Sequence, residues 1–266
     1  MAEARVKKLA VVTGATGGIG YELARLLAAD GYDLLLAARS SDKLSSIAAE
    51  FEAKHQVQVT PVVVDLSQPH AATTIEETLD HIGQPVHVLI NNAGIGAFGR
   101  FHEQPLGRIL EILQINIVAL TELTRLLLPR MVAAGRGHLM NVASTAAFQP
   151  GPLMAVYYAS KAYVLHLSEA LVEELRESGI SVTALCPGPT KTGFEESADM
   201  HDSKLFKSGR VMTAEQVAQI GYQAMWDHRP VVIPGFTNQF LAWATRLPPR
   251  PWLAKIARWS QEKSSA

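Results

Sequence analysis

Short apolar runs bounded by turn residues alternate with longer segments of helical period. This alternation narrows the possible folds more than any single motif does. Residues 9–15 (LAVVTGA), 33–39 (DLLLAAR), 59–66 (VTPVVVDL) and 86–94 (VHVLINNAG) are apolar at successive positions, as strands buried on both faces are. Residues 137–145, 180–188 and 230–235 continue the series. Between them, residues 21–30, 42–54, 106–134 and 154–178 carry helical spacing, and Gly31 and Gly179 follow two of these segments as helix stops. Parallel strands need long crossover connections, so the pattern predicts a doubly wound α/β fold: a parallel sheet of about seven strands with helices on both faces. No repeat or low-complexity linker divides the 266 residues, and a single domain over 1–266 is expected.

Two segments depart from the rhythm. Residues 189–212 have no clear period and are rich in Ser, Lys, Glu and Gly; an aperiodic stretch of that length inside a compact domain is a lid over a site or a disordered segment, and a substrate lid is the expectation. The tail, residues 236–266, carries Trp243, Trp252 and Trp259 among five basic residues and one Glu. Tryptophans interleaved with cations would suit a membrane surface. Pro248, Pro249 and Pro251 break any long amphipathic helix there, so packing on the body or on a second subunit is the favoured expectation.

Composition excludes several classes. A net charge of −1 gives no electrostatic footprint for nucleic acid. The single cysteine, Cys186, excludes an internal disulfide framework and fits a reducing compartment. The first apolar stretch is broken at Gly14, too short for a signal-peptide core, and no run of eighteen apolar residues occurs. The cytoplasm is therefore the expected address. None of the nine histidines forms a metal-binding motif, and no metal is expected.

The chemistry-bearing stretches begin with TGATGGIG, Thr13 to Gly20, between the first strand and the first helix. Glycines there let a pyrophosphate approach the unpaired N–H groups of a helix N-terminus. Two spacings are open, T-G-x-x-x-G-x-G through Gly14, Gly18 and Gly20, and T-G-x-x-G-x-x-G through Gly17. At the end of the second strand, where an acidic residue would bind a ribose 2′-hydroxyl, stand Arg39 and Ser40. A guanidinium and a hydroxyl suit a 2′-phosphate, so NADP(H) is the expected coenzyme. Further along, YYASK sets Tyr157 and Tyr158 four and three residues before Lys161. A phenol is a poor acid or base at pH 7 unless a neighbouring cation stabilises phenolate. Lowering its pKa by about three units needs about 4 kcal/mol. Both tyrosines neighbour the lysine on a helix, and spacing does not choose between them.

Taken together, these stretches resemble the short-chain dehydrogenase/reductase family, in its branch of one-domain enzymes of about this length. The resemblance is carried by residues 13–20, Asp65, NNAG at 91–94, Asn116, Ser144, YYASK and PGPTKT at 187–192, in order. It implies a Rossmann-type sheet and an NADP(H)-dependent interconversion of a carbonyl and an alcohol. It assigns Tyr157 as general acid/base, Lys161 as the cation that lowers its pKa, and Ser144 as the hydroxyl that holds the carbonyl oxygen. Asn116 is given a helix bend and a bound water. Among coenzyme contacts it implies Gly14, Thr16, Gly18, Ile19 and Gly20 at the phosphates, and Asp65, Leu66, Asn92, Ala93 and Gly94 at the adenosine. Pro187, Gly188, Thr190 and Thr192 fall at the nicotinamide, with Tyr157 and Lys161 beside its ribose. Thr190 stands where an aliphatic residue is usual. Pocket candidates by position are Ile95, Phe98, Ala146, Phe148, Met154 and Phe194, whose apolar character suits a hydrophobic ketone or aldehyde. The family's habit of pairing the two long helices implies a homodimer or homotetramer. A non-catalytic NADPH-sensing protein is the competing reading.

Overall fold

The computed structural model describes residues 8–194, 211–245 and 247–261. The strands are β1 (Leu9–Thr13), β2 (Asp33–Ala38), β3 (Val59–Val63), β4 (Val86–Asn91), β5 (Gly137–Val142) and β6 (Ile180–Leu185), then β7 (Thr190–Lys191), β8 (Met212–Thr213) and β9 (Val231–Val232). Seven of them form one parallel sheet in the order β3-β2-β1-β4-β5-β6-β9. The helices are α1 (Gly18–Ala29), α2 (Ser41–His55), α3 (Ala71–Ile82), α4 (Leu106–Leu113), α5 (Leu120–Ala133), α6 (Ala155–Glu174), α7 (Ala214–Trp226), α8 (Phe236–Ala244) and α9 (Arg250–Gln261).

The continuous apolar strands are explained by cover on both faces. In β1, Ala10 and Val12 pack with Leu23 and Leu27 of α1, Phe51 of α2 and Met225 of α7. Leu9 and Val11 pack on the opposite side with Ile75 of α3 and Leu127 of α5. Each such side chain contributes roughly 1.5–3 kcal/mol on burial. Strand order reverses between β1 and β4, and the crevice above the carboxyl ends of those strands is where an open α/β sheet receives a ligand.

Three expectations change in detail. The helix expected over 106–134 is interrupted by a π turn, Gln114–Ala119, with Asn116 buried inside it. The stretch Leu106–Ala133 is long enough to cross a membrane and contains an 18-residue window of mean hydropathy 1.4, but 44% of that window is buried inside the protein. Ile112, Leu123, Leu127 and Met131 supply its contact with the sheet. Of the expected strand 230–235, only Val231–Val232 joins the sheet, between Pro230 and Pro234, which lack an N–H to donate. The expected lid, 189–212, has its ends joined: β7 pairs with β8 through Thr190 with Met212 and Lys191 with Thr213. Residues 195–210 of it lie outside the described residues.

Candidate active site

Two neighbouring strand ends are fastened together at the switch point. Thr13 Oγ1 accepts from the backbone N–H groups of Asn92 and Ala93, each at 3.1 Å. Asn92 Nδ2 donates in return to the carbonyls of Thr13 and Gly14 at 3.0 and 3.1 Å. This fastening leaves no room for side chains. A Cβ on Gly20 would stand 2.3 Å from Asn92 Nδ2 and 2.5 Å from the Gly14 carbonyl. Gly18 has φ +56, a left-handed conformation, and faces Thr192. Gly17 is extended, and a Cβ there would meet nothing within 4 Å. The geometry therefore requires Gly14, Gly18 and Gly20, the longer of the two spacings. Gly17 is also the N-cap of α1 and supplies no side-chain acceptor to the first-turn N–H groups, as at helix ends that receive anions.

The two tyrosines have different surroundings. Tyr158 is buried, and its ring fills the space beside Gly151, where a Cβ would fall 2.1 Å from a ring carbon. Tyr157 faces the crevice, with its ring 5.1 Å from that of Phe194 and 6.1 Å from that of Tyr158. Lys161 is buried, its Nζ 5.9 Å from the centre of the Tyr157 ring. Ser144 follows β5 and caps a short 3₁₀ turn, its Oγ accepting from Ala146 N at 3.1 Å. Asn116 is the brace behind them. Its Oδ1 accepts from Ile95 N, and its Nδ2 donates to Ile95 O and to Ser160 Oγ at 2.9 Å. Ser160 Oγ in turn donates to the Tyr157 carbonyl at 2.7 Å. The side-chain amide of Asn116 thus holds the backbone of α6 in place.

Electrostatics depart from expectation. The lysine was expected to lower the phenol's pKa, yet burial pushes Tyr157 up to about 12, with the Ser144 hydroxyl pulling it the other way. Lys161 Nζ donates to the Val142 carbonyl at 2.8 Å, and burial brings the amine itself down to about 8. Among the described residues the site thus holds a protonated phenol at neutral pH.

A cleft of about 930 Å³ runs from the glycine turn to these side chains. Of the expected coenzyme contacts, its wall includes Gly14, Thr16, Gly18, Ile19, Arg39, Asn92, Ala93, Gly94, Tyr157, Lys161, Pro187, Gly188, Thr190 and Thr192. Ser144 also lines it. Gly20 and Asn116 act from behind the wall, and Ser40, Asp65 and Leu66 do not line it. Asp65 Oδ1 accepts from Ser67 N at 3.0 Å, which holds that carboxyl below its usual range. Ile95, Ala146, Met154 and Phe194 line the cleft as expected. Phe98 packs in the cluster around Met154 without reaching the wall. Phe148 is a correction: the 3₁₀ turn directs it to the core beside Val164 and Ala184.

Two contributions escaped the sequence reading. Lys43 lines the cleft with Arg39, whose guanidinium is 63% exposed and lies 3.9 Å from Glu111. Four residues after Arg39 at the start of α2, it was legible as a second cation. The tail supplies the outer wall through Asn238, Leu241, Ala242 and Thr245 of α8 and its end, then Leu253, Ile256 and Ala257 of α9. The spacing 238, 241, 242, 245 is that of one helix face and was the available signal. The glycines without room for a Cβ and the bare helix N-terminus suit the pyrophosphate of a dinucleotide, and Arg39 and Lys43 stand on the same wall. Among the described residues no His, Cys, Asp or Glu cluster could hold a metal ion.

A family profile described as short chain dehydrogenase matches residues 8–202. A very-long-chain 3-oxoacyl-CoA reductase of Phaeosphaeria nodorum is 36% identical over 248 residues, covering 87% of this chain and 71% of that protein. Very-long-chain 3-oxoacyl-CoA reductase-A of Danio rerio is 35% identical over 187 residues, covering 69% of this chain. That match spans 58% of the zebrafish protein, little more than half its length. Among solved structures, a short-chain dehydrogenase from Sphingobium yanoikuyae in complex with NADPH has a TM-score of 0.81 at 30% identity, covering 97% of this chain and 99% of that one.

Proposed function

This chain belongs to the short-chain dehydrogenase family, and on that premise we propose that it is an NADPH-dependent reductase of ketones or aldehydes with a hydrophobic body. One observation carries the reading. Both adjacent phenols line the cleft, and it is Tyr157 that has Lys161 beside its ring and the Ser144 hydroxyl within hydrogen-bonding reach. Tyr158 is taken up by packing against Gly151.

When bound, the coenzyme supplies the hydride. The chain's own residues do the rest. Ser144 Oγ and Tyr157 Oη receive the substrate's carbonyl oxygen, and Tyr157 gives it a proton as negative charge develops there. A phenol held up to about 12 is protonated at neutral pH and so carries the proton that the carbonyl oxygen needs. Lys161 lends positive charge below its value of about 8. Asn116 and Ser160 are positioning residues that fix the backbone of Tyr157.

The choice of NADPH over NADH rests on Arg39 and Lys43 and on the coenzyme named for the Sphingobium structure. The hydrophobic substrate rests on the apolar wall, Ile95, Ala146, Met154, Phe194 and Leu241. The relatives' name, a 3-oxoacyl thioester of very long chain, puts that kind of ketone first among candidates. A homodimer or homotetramer paired through α4–α6 would cover the exposed Leu110, Val118 and Tyr163; a light-scattering mass of one chain would remove it.

The test is a panel of long-chain ketones and aldehydes read at the reduced-nicotinamide absorbance band. Wild type oxidises NADPH, Tyr157→Phe loses roughly 10²–10⁴-fold, and Tyr158→Phe keeps most of the activity. Equal loss in both variants, or no turnover across the panel, sinks the reading. Arg39→Asp shifts preference toward NADH by tenfold or more, as about 1.4 kcal/mol of lost phosphate contact requires. An unchanged coenzyme ratio would mean the 2′-phosphate is read elsewhere.

A further inference from the structure

The two tail helices have two faces, and only one is used by the body of the protein. On the inner face Ala242, Leu253 and Ala257 are buried and line the cleft. On the outer face Phe236, Phe240 and Trp243 recur at the spacing of one helical stripe, the exposed Leu247 follows just beyond the end of α8, and Trp252 is exposed on α9. Phe236 is 84% exposed, Trp243 55% and Trp252 65%. A protein surface does not ordinarily gather so many large apolar side chains over so short a stretch without an occupant. Prolines 248 and 249 divide the two helices, so these side chains belong to two short rods and the turn between them.

The charge pattern selects the occupant. From Phe236 to Gln261 the sequence carries Arg246, Arg250, Lys255 and Arg258 and neither Asp nor Glu, within a chain whose net charge is −1. Aromatic and aliphatic side chains on an exposed stripe, in a segment of one sign of charge, match an anionic lipid surface: the rings enter the headgroup boundary and the cations meet the phosphates. A second copy of this chain would bring one cationic segment against another of the same sign, which opposes pairing through it.

We propose that α8, α9 and the turn between them dock on an anionic membrane surface through Phe236, Phe240, Trp243, Leu247 and Trp252. The docked helices are then also the wall between that surface and the cleft. The proposal rests on the surface alone and stands whether or not the chain turns over a substrate.

Vesicle flotation tests it. Vesicles of phosphatidylcholine with phosphatidylserine carry the full-length chain upward, vesicles of phosphatidylcholine alone carry clearly less, and added salt weakens the first case. A Phe240→Ser, Trp243→Ser, Trp252→Ser variant loses roughly tenfold or more of the partition while keeping the turnover of a water-soluble carbonyl or, failing that, NADPH binding and melting temperature. Trp243→Phe and Trp252→Phe keep binding, because they keep the apolar stripe. Three outcomes overturn the proposal: no flotation of wild type on the anionic vesicles, equal flotation on both vesicle types, or equal flotation of wild type and the serine variant. It also falls if, without lipid, wild type is a dimer that the serine variant splits, since a second copy then covers the face.

Discussion

Lys161 is a buried amine that donates its hydrogen bond to a backbone carbonyl, and burial of that charge makes it costly to the fold. Its value of about 8, against 10.5 for a free lysine, corresponds to about 3 kcal/mol of burial penalty on the charged form. The sign follows from linkage. Below pH 8 the amine is charged in both folded and unfolded chains, and the penalty is present in full. Between about 8 and 10.5 the folded chain sheds its proton first, so the penalty fades as pH rises. Lys161→Met removes the charge but leaves the Val142 carbonyl without its donor, which offsets part of the gain by roughly 1–3 kcal/mol. The variant should therefore melt no lower than wild type at pH 7, with an advantage that narrows toward pH 10, and have no measurable turnover. A variant several degrees less stable at pH 7 would show that the lysine is a structural residue. The two tyrosines mark the limit of what residue-level reading can do. Their spacing to Lys161 leaves both possible, and the resemblance selected one. What separates them physically, the missing Cβ at Gly151 that accepts the Tyr158 ring, lies six residues before YYASK and has no signature in the sequence.

At the scale of elements, the glycine turn shows how one backbone device can be hidden among redundant glycines. Four glycines in eight residues permitted two spacings, and the closeness of Asn92 decides between them. Gly20→Ala must displace either Asn92 Nδ2 or the Gly14 carbonyl, and should cost about 2 kcal/mol or more together with coenzyme binding. Gly17→Ala enters open space at an extended residue and should leave stability within about 1 kcal/mol of wild type and binding nearly intact. Thermal melts with and without NADPH check both; similar losses at the two positions would contradict the assignment. The π turn was anticipated only as a bend at Asn116. Its extent depends on Ile95 and Ser160, one on a loop after β4 and one on α6, which local propensity does not register. Strand limits were overestimated for a related reason, because apolar runs continue past the last ladder bond into the loops that form the site.

Over the whole molecule, the sheet and its two helical layers were legible because strands buried on both faces need no alternation and announce themselves as continuous apolar runs. The tail was not. Its tryptophans mark the outward face, while the residues that close the cleft, small or polar ones such as Asn238, Ala242 and Ala257 beside the aliphatic Leu241, Leu253 and Ile256, carry no chemistry of their own. Asn238 lies against Gly188, where a Cβ would stand 2.5 Å from its Nδ2, so the tail and the PGPTKT loop are fitted to each other over the cleft. All of this converges on one claim, that a single phenol on α6 meets the substrate carbonyl inside a crevice that holds the coenzyme. A crystal structure of the chain with NADPH and a ketone that binds without turning over tests it most directly. The account predicts the ketone oxygen within hydrogen-bonding distance of both Tyr157 Oη and Ser144 Oγ, with the dinucleotide's phosphates over Gly14, Gly18 and Gly20. A ketone seated against Tyr158, or a dinucleotide bound away from the glycine turn, would contradict it.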